Sequence, residues 1–269
     1  MAAVARPPVI VKLGGSLITR KHEKEKIRPK VLARLCREIA AIDDPPLVVL
    51  HGAGSFGHPG ARAFGLDRAP EDDRSLAGRA RGAAIVASET RRLHLAVLRE
   101  LVRVGASPLS VPLSTHARNR EGGLATIDPR PIAESLAAGS MPVSFGDVVP
   151  DEAWGFSILS ADTIAAALVP LLRPSRVVFA SDVPGILEPG TTGRRAVVPE
   201  ITDEVVERLG KGPPTLDAMG GVLGKARAMR AIARSGVDAV LISGLTDGAV
   251  SRAIRGDAVY GSWAHASSR

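Results

Sequence analysis

The chain has 269 residues, of which 45% are apolar and 23% charged, the balance of an ordinary soluble globular protein with room for a sizeable core. Phe, Trp and Tyr together reach only 3%, which argues against the aromatic stacking surfaces of single-strand nucleic-acid binders. The formal charge of +7 favours polyanionic partners such as nucleotides, nucleic acid or a membrane surface, and it equally suits a surface charged for solubility.

The single Cys36 cannot form an internal disulfide, so nothing indicates an oxidising compartment. Met1 to Pro8 lacks the apolar centre of a signal peptide. The stretch Ile164 to Leu172 is too short to cross a bilayer and contains Pro170. The expected location is the cytoplasm, with no membrane partner.

In chain order, Val9–Leu13, Leu47–Leu50, Arg176–Ala180 and Val237–Ile242 read as buried strands. Helices are predicted over 28–41, 80–104, 161–172 and 221–235. The second carries Ile85, Leu93, Val97 and Leu101 at near-helical spacing and stops at Gly105. Such alternation implies an α/β fold whose mainly parallel sheet is covered by helices on both faces. Turn formers gather at Asp43–Pro46, at Glu188–Gly193 (a hairpin) and at Gly210–Pro214 (a mobile loop). The chain reads as one domain, 1–269, with two lobes divided near Pro174.

Five segments can carry chemistry. Lys12, Leu13, Gly14, Gly15 and Ser16 follow the first strand, with Lys21 just beyond the turn. Glycines there let backbone N–H groups approach an anion. No Walker sequence is present, and a Gly pair after a strand is often only a tight turn. The next strand is followed by His51, Gly52, Ala53, Gly54, Ser55, Phe56, Gly57 and His58, a second anion cradle at a strand's carboxyl end. His58 can donate a charge-assisted bond to phosphate. A capping or surface role is the plainer reading of such a histidine, and His51 is assigned to it.

Phe145, Gly146 and Asp147 precede Trp154, Gly155 and the Ser160–Ala161–Asp162 start of a helix. Ser160 fits a helix cap. Asp162 is less well explained that way, and it could hold catalytic lysines by hydrogen bonding. Ser181–Gly185 suits either a turn or a nucleotide's ribose or base. Last, Asp217–Lys225 is a Gly cluster opening a helix; Lys225 there suits a β- or γ-phosphate, or is a solvated helix lysine.

Together and in this order, the five segments resemble the amino-acid-kinase superfamily over nearly the whole chain. Lys-Leu-Gly-Gly-Ser, then Ile-Thr-x-Lys, then Gly-x-Gly-Ser-Phe-Gly-His is similar to its isopentenyl phosphate kinase branch. The resemblance implies a three-layer sandwich around a mainly parallel sheet, with residues 1–174 as acceptor lobe and 175–269 as nucleotide lobe. It implies ATP as donor and Mg2+ held by nucleotide phosphates and water, with no protein metal ligand. The acceptor would be a small phosphate monoester, isopentenyl phosphate first, and the assembly a homodimer. Lys12 and Lys21 would stabilise the transferring group, and Asp162 would organise the lysines. Gly14, Gly15, Ser16, Gly54, Asp182, Gly221 and Lys225 would contact ATP. His58, with the backbone near Ala53, Gly54 and Gly155, would hold the acceptor. Ala53 and Ala161 stand where the family carries glycine, so a slightly altered pocket is expected.

A fosfomycin-type phosphonate kinase shares this reading of His58, and glutamate- or acetylglutamate-type kinases come next. A nucleic-acid-binding module would need the arginines of the second helix (Arg79, Arg81, Arg91, Arg92, Arg99 and Arg103) on one open face. No helix-turn-helix, zinc-finger or RNP signature accompanies them, so no nucleic-acid partner is expected.

Overall fold

The computed structural model of the protein describes residues 6–189, 195–211 and 221–266. Its first half runs β1 (Val9–Leu13), α1 (Gly15–Ile18), α2 (Pro29–Ala40), β2 (Leu47–His51), α3 (Gly54–Ala63) and α4 (Asp73–Arg103). Then come β3 (Pro108–Ser110), β4 (Ala117–Arg120), β5 (Gly123–Ile127), α5 (Arg130–Ala137), β6 (Met141–Phe145), β7 (Asp147–Asp151) and β8 (Gly155–Leu159). The remainder is α6 (Ala161–Leu172), β9 (Arg176–Ser181), β10 (Leu187–Pro189), β11 (Arg195–Val197), α7 (Asp203–Gly210), α8 (Val222–Arg234), β12 (Ala239–Ser243), α9 (Ala249–Arg255) and β13 (Gly261–Ala264).

Seven strands form the central sheet in the order β13-β12-β9-β1-β2-β6-β3. All neighbours are parallel except β12 and β13. A strand buried on both faces cannot alternate apolar with polar, and β1 and β2 are accordingly buried at every position. Period-two geometry still divides their side chains. Val9, Val11 and Leu13 pack with Leu35, Leu93 and Val250 of α2, α4 and α9. Ile10 packs on the other face with Ile132, Ile164 and Met229 of α5, α6 and α8. Lys12, two residues from Ile10, therefore faces the layer of α6 and α8. The helical layers on both faces match the predicted α/β sandwich.

A second, four-stranded sheet has the order β5-β4-β7-β8. It rests on α4 through a small apolar cluster of Ala61, Leu66, Ala83, Val86 and Val148, flanked by Phe64, Phe156 and Ile158.

The predicted strands and helices stand within a residue or two of their expected places, with one larger difference. The helix expected over 80–104 begins at Asp73, about two turns earlier, in a polar stretch without an apolar stripe. Leu93, Val97 and Leu101 are its buried face as expected, but Val86 and not Ile85 is the buried neighbour. The hairpin near Glu188 exists as the antiparallel pair β10–β11. Residues 190–193, 212–214 and 217–220 lie outside the described residues.

Candidate active site

The carboxyl ends of the central strands meet through glycines. Gly52 N–H donates to the Leu13 carbonyl (2.9 Å), Gly146 N–H to His51 (3.0 Å) and Gly14 N–H to Ala180 (2.8 Å). The first two turns touch backbone to backbone, because a β-carbon on Gly15 would lie 2.3 Å from the Gly54 nitrogen. Gly54 has φ +51°, and its own β-carbon would collide with Thr19 Oγ1. Thr19 bolts the turns together: its hydroxyl donates to the Gly15 carbonyl (2.7 Å) and accepts from Ser55 N–H (3.0 Å). The glycine-rich loop after β2 is shorter than expected, since helix α3 already begins at Gly54. Ala53 replaces a glycine without conflict because Gly57, one turn on, leaves room for its methyl group.

Above these turns lies a charge cluster. Lys12 Nζ stands 2.6 Å from Asp162 Oδ1, and Lys225 Nζ 2.7 Å from Asp162 Oδ2. Asp162 sits in the first turn of α6, behind the Ser160 cap that accepts from Thr163 N–H. Burial raises the cost of its charge, but the two ammonium groups prevail and hold its carboxyl well below the usual range. Burial is also the largest influence on Lys12, and despite Asp162 its pKa is lowered to about 8, with Lys225 pushing the same way.

A second carboxylate serves the opposite side of the first turn. Ser16 Oγ donates to Asp182 Oδ1 (2.8 Å), and the exposed Lys21 Nζ lies 3.7 Å from Asp182 Oδ2. Lys21 rides on a loop closed by the Thr19–Ile27 bridge. Lys24 (2.9 Å to Glu89) and Arg92, which pairs Glu25, fasten that loop to α4. Its fastening to α3 depends on Pro59. Proline has no N–H to give the Ser55 carbonyl one turn back, and that carbonyl accepts from Glu25 N–H instead (3.2 Å).

His58 emerges from α3 with an exposed side chain. Its pKa lies below the ordinary imidazole value through partial desolvation first, then through Lys12, Arg62 and Lys21, with Asp67 opposing. Lys12, Lys21 and His58 therefore share one electrostatic field.

Two expectations change. Asp162 pairs with Lys12 and Lys225, whereas the nearest carboxylate partner of Lys21 among the described residues is Asp182. His51 is neither a cap nor a surface residue: it is fully buried, with Nε2 3.0 Å from His94 Nδ1, and stacks on Phe145. Gly221 takes its place at the start of α8. Gly155 opens β8, and a β-carbon there would meet the Leu76 side chain of α4 at 3.5 Å.

Most of the arginines singled out in α4 are engaged by other groups. Arg79 is buried, Arg91 pairs Asp147 (3.0 Å), Arg92 pairs Glu25 and Arg103 pairs Glu100. Sequence reading missed Thr19, His94 and Arg79 as structural partners of these turns. A fully buried arginine was visible only as one among many in a charged helix.

The amino acid kinase family profile matches residues 7–243. Isopentenyl phosphate kinase of Methanothermobacter thermautotrophicus is 32% identical, over 94% of this chain and 97% of that protein. The chain belongs to the amino acid kinase family, in its isopentenyl phosphate kinase branch. The isopentenyl phosphate kinase of Arabidopsis thaliana is 28% identical over 92% of this chain and 90% of its own. A solved isopentenyl phosphate kinase structure superposes with a TM-score of 0.82 at 30% identity, covering 95% of this chain and 99% of that one. The T. acidophilum isopentenyl phosphate kinase product complex gives 0.74 at 29% identity, covering 96% and 99%. Matches to acetylglutamate kinase, such as that of Salinispora tropica, span only 49% of this chain and 42% of that protein. The likeness to this branch of the family thus runs through both ends of the sheet.

Proposed function

We propose that the protein transfers the γ-phosphoryl group of ATP to isopentenyl phosphate, giving isopentenyl diphosphate and ADP. The observation that carries this reading is the pair of lysines, Lys12 and Lys225, held on Asp162 at the carboxyl end of β1, with His58 and Lys21 in the same field. Phosphoryl transfer through a loose transition state needs positioning and countercharge more than covalent chemistry. The acceptor's attacking oxygen is already anionic, so the site requires no strong base.

Residues 1–174 hold the acceptor in this reading and residues 175–269 the nucleotide. Gly14, Gly15, Ser16, Gly54, Asp182, Gly221 and Lys225 receive ATP, and Ala53, Gly54, His58 and Gly155 receive the acceptor. Lys12 faces the transferring group from β1, while Lys21 approaches from its loop. A nearby acceptor dianion favours the charged form of the His58 imidazole. Asp162 and Asp182 are already engaged by lysines and Ser16, so Mg2+ rides on the nucleotide phosphates and water and supplies charge neutralisation there. The apolar cluster beside α3, with half-buried Phe64 and Phe156, supports a short branched tail on the acceptor. The exposed Leu95 and Val102 of α4 and Leu109 of edge strand β3 support a homodimer.

The test is ATP turnover with isopentenyl phosphate, fosfomycin, glutamate and UMP offered in parallel, with Lys21→Ala and His58→Ala beside wild type. Isopentenyl phosphate should be the preferred acceptor. His58→Ala should lower kcat/KM for it by about tenfold or more, the worth of a charge-assisted hydrogen bond, with ATP affinity nearly unchanged. Preference for another acceptor would overturn the substrate assignment.

A further inference from the structure

Arg79 is among the largest fully buried side chains of the molecule, at 1% exposure. Among the described residues, neither Asp67 nor Asp151, whose charges act on it, is salt-bridged to it, and its hydrogen-bond partners are backbone carbonyls. Nε donates to Trp154 O (3.0 Å), Nη1 to Gly65 O (2.6 Å) and Arg68 O (3.2 Å), and Nη2 to Arg68 O (2.5 Å). The guanidinium also lies 5.8 Å from the centre of the Trp154 ring. One side chain of α4 thus joins the segment after α3 to the turn between β7 and β8.

That turn is unusual. Phe156 N–H donates to the Trp154 carbonyl (2.8 Å) across Gly155, whose φ is +71°, so Gly155 is the centre of a γ-turn with positive φ, a rare and strained form. The surroundings over-determine it. Asp151 accepts from Trp154 N–H (2.9 Å) and Ala153 N–H (3.0 Å) on one side, and Arg79 takes the Trp154 carbonyl on the other. The carbonyl of Trp154 and the N–H of Gly155 belong to one planar peptide unit. Holding the oxygen therefore aims the N–H the opposite way.

A buried cation spent on carbonyls is costly unless it supports something specific. A merely stabilising contact between α4 and this turn would need only apolar packing, which Phe156 and Val86 already supply in the same cluster. We propose that Arg79 is a positioning residue for the acceptor, acting through the Trp154–Gly155 peptide and the α3–α4 segment that it ties together. This rests on the proposed placement of the acceptor against Gly155.

The experiment compares wild type, Arg79→Lys, Arg79→Ala and Gly155→Ala. Steady-state kinetics vary isopentenyl phosphate and ATP separately, and melting temperature is recorded for each. Wild-type turnover of isopentenyl phosphate tests the substrate reading by itself; the variants are read only against that value. Lysine cannot reproduce three directed N–H groups, so Arg79→Lys should raise acceptor KM about tenfold while ATP KM stays within about twofold, the loss of one directed contact. Millimolar methylguanidinium should restore acceptor KM in Arg79→Ala and leave Arg79→Lys unaffected. Gly155→Ala puts a β-carbon on backbone at φ +71°, which strains this turn directly although, among the described residues, the methyl would meet only Leu76 at 3.5 Å; it should show the same split between acceptor and ATP. If Arg79→Ala does not fold, the decision rests on Arg79→Lys and on Arg79→Gln, whose amide can still donate to the Trp154 carbonyl. Equal loss toward both substrates, or unchanged acceptor KM in the folded variants, would overturn the inference.

Discussion

Gly15 and Gly54 lie on separate turns, yet a β-carbon on Gly15 would stand 2.3 Å from the Gly54 nitrogen and 2.5 Å from its Cα. Backbone cannot yield as a side chain can, so adding one methyl group must part the two turns. Gly15→Ala should lose about 1–3 kcal/mol of stability or more, the range for overpacking, and most of the activity. Gly224→Ala is the control, since no described residue lies within 4 Å of a β-carbon there; inside α8 it should be neutral or slightly stabilising. Denaturant melts and ATP turnover on both variants check this. An unchanged midpoint in Gly15→Ala would show that the turns are not in contact.

Asp162 is the shared partner of two ammonium groups, and removing its charge leaves them facing each other in a cleft with little water. Asp162→Asn should destabilise the fold by about 3–5 kcal/mol, as breaking a buried pair does. The double variant Asp162→Asn/Lys225→Met should regain part of that loss by deleting one of the stranded cations. Failure of the second substitution to restore any stability would separate Lys225 from the cluster.

Lys12 has a pKa lowered to about 8 by burial. Its ammonium form, the one that can stabilise a transferring phosphoryl group, is lost as pH rises through that value. The pH profile of kcat/KM for ATP, which reports the free enzyme, should fall on its alkaline side near pH 8. Lys12→Arg keeps its charge throughout, so whatever activity it retains should show no such fall. A profile that stays flat to pH 10 in wild type would remove Lys12 from the chemistry.

His51 and His94 are held neutral by burial, with pKa values lowered to about 4 and about 3. The unfolded chain binds their protons below the ordinary value of 6.5, while the folded protein resists until far lower pH. Each therefore contributes stability that is full above pH 6.5 and is progressively lost as pH falls toward 4. Melting temperature should drop over that window. The drop should be shallower in His94→Gln, whose amide bonds without titrating. An identical slope in the variant would contradict the assignment.

The expected strands and helices were legible because burial writes itself locally. β-branched runs of four to six residues, helix stripes and Gly stops give position and face, and alternation along β1 is enough to place Lys12 on the side of Ile10. The order of Gly-rich turns after strands was legible for the same reason, and it carried the family resemblance. The first two turns of α4 were not, since a polar helix start resembles a loop.

The partners of each charge lay beyond local reading. Asp162 at a helix start is locally a cap companion, and only the packing of α6 beside β1 and α8 turns it into the counterion of Lys12 and Lys225. Arg79 and Arg92 look alike in a basic helix; one is buried against three carbonyls and the other meets Glu25 at the surface. His51 and His58, seven residues apart, divide in the same way between core and exposed surface. Sequence by itself determined four central strands, four of the helices and the glycines of the turns, because those depend on neighbours a few residues away. Only the tertiary structure decided which charges meet, because desolvation and Coulomb energy depend on distances between elements that the chain brings together from far apart.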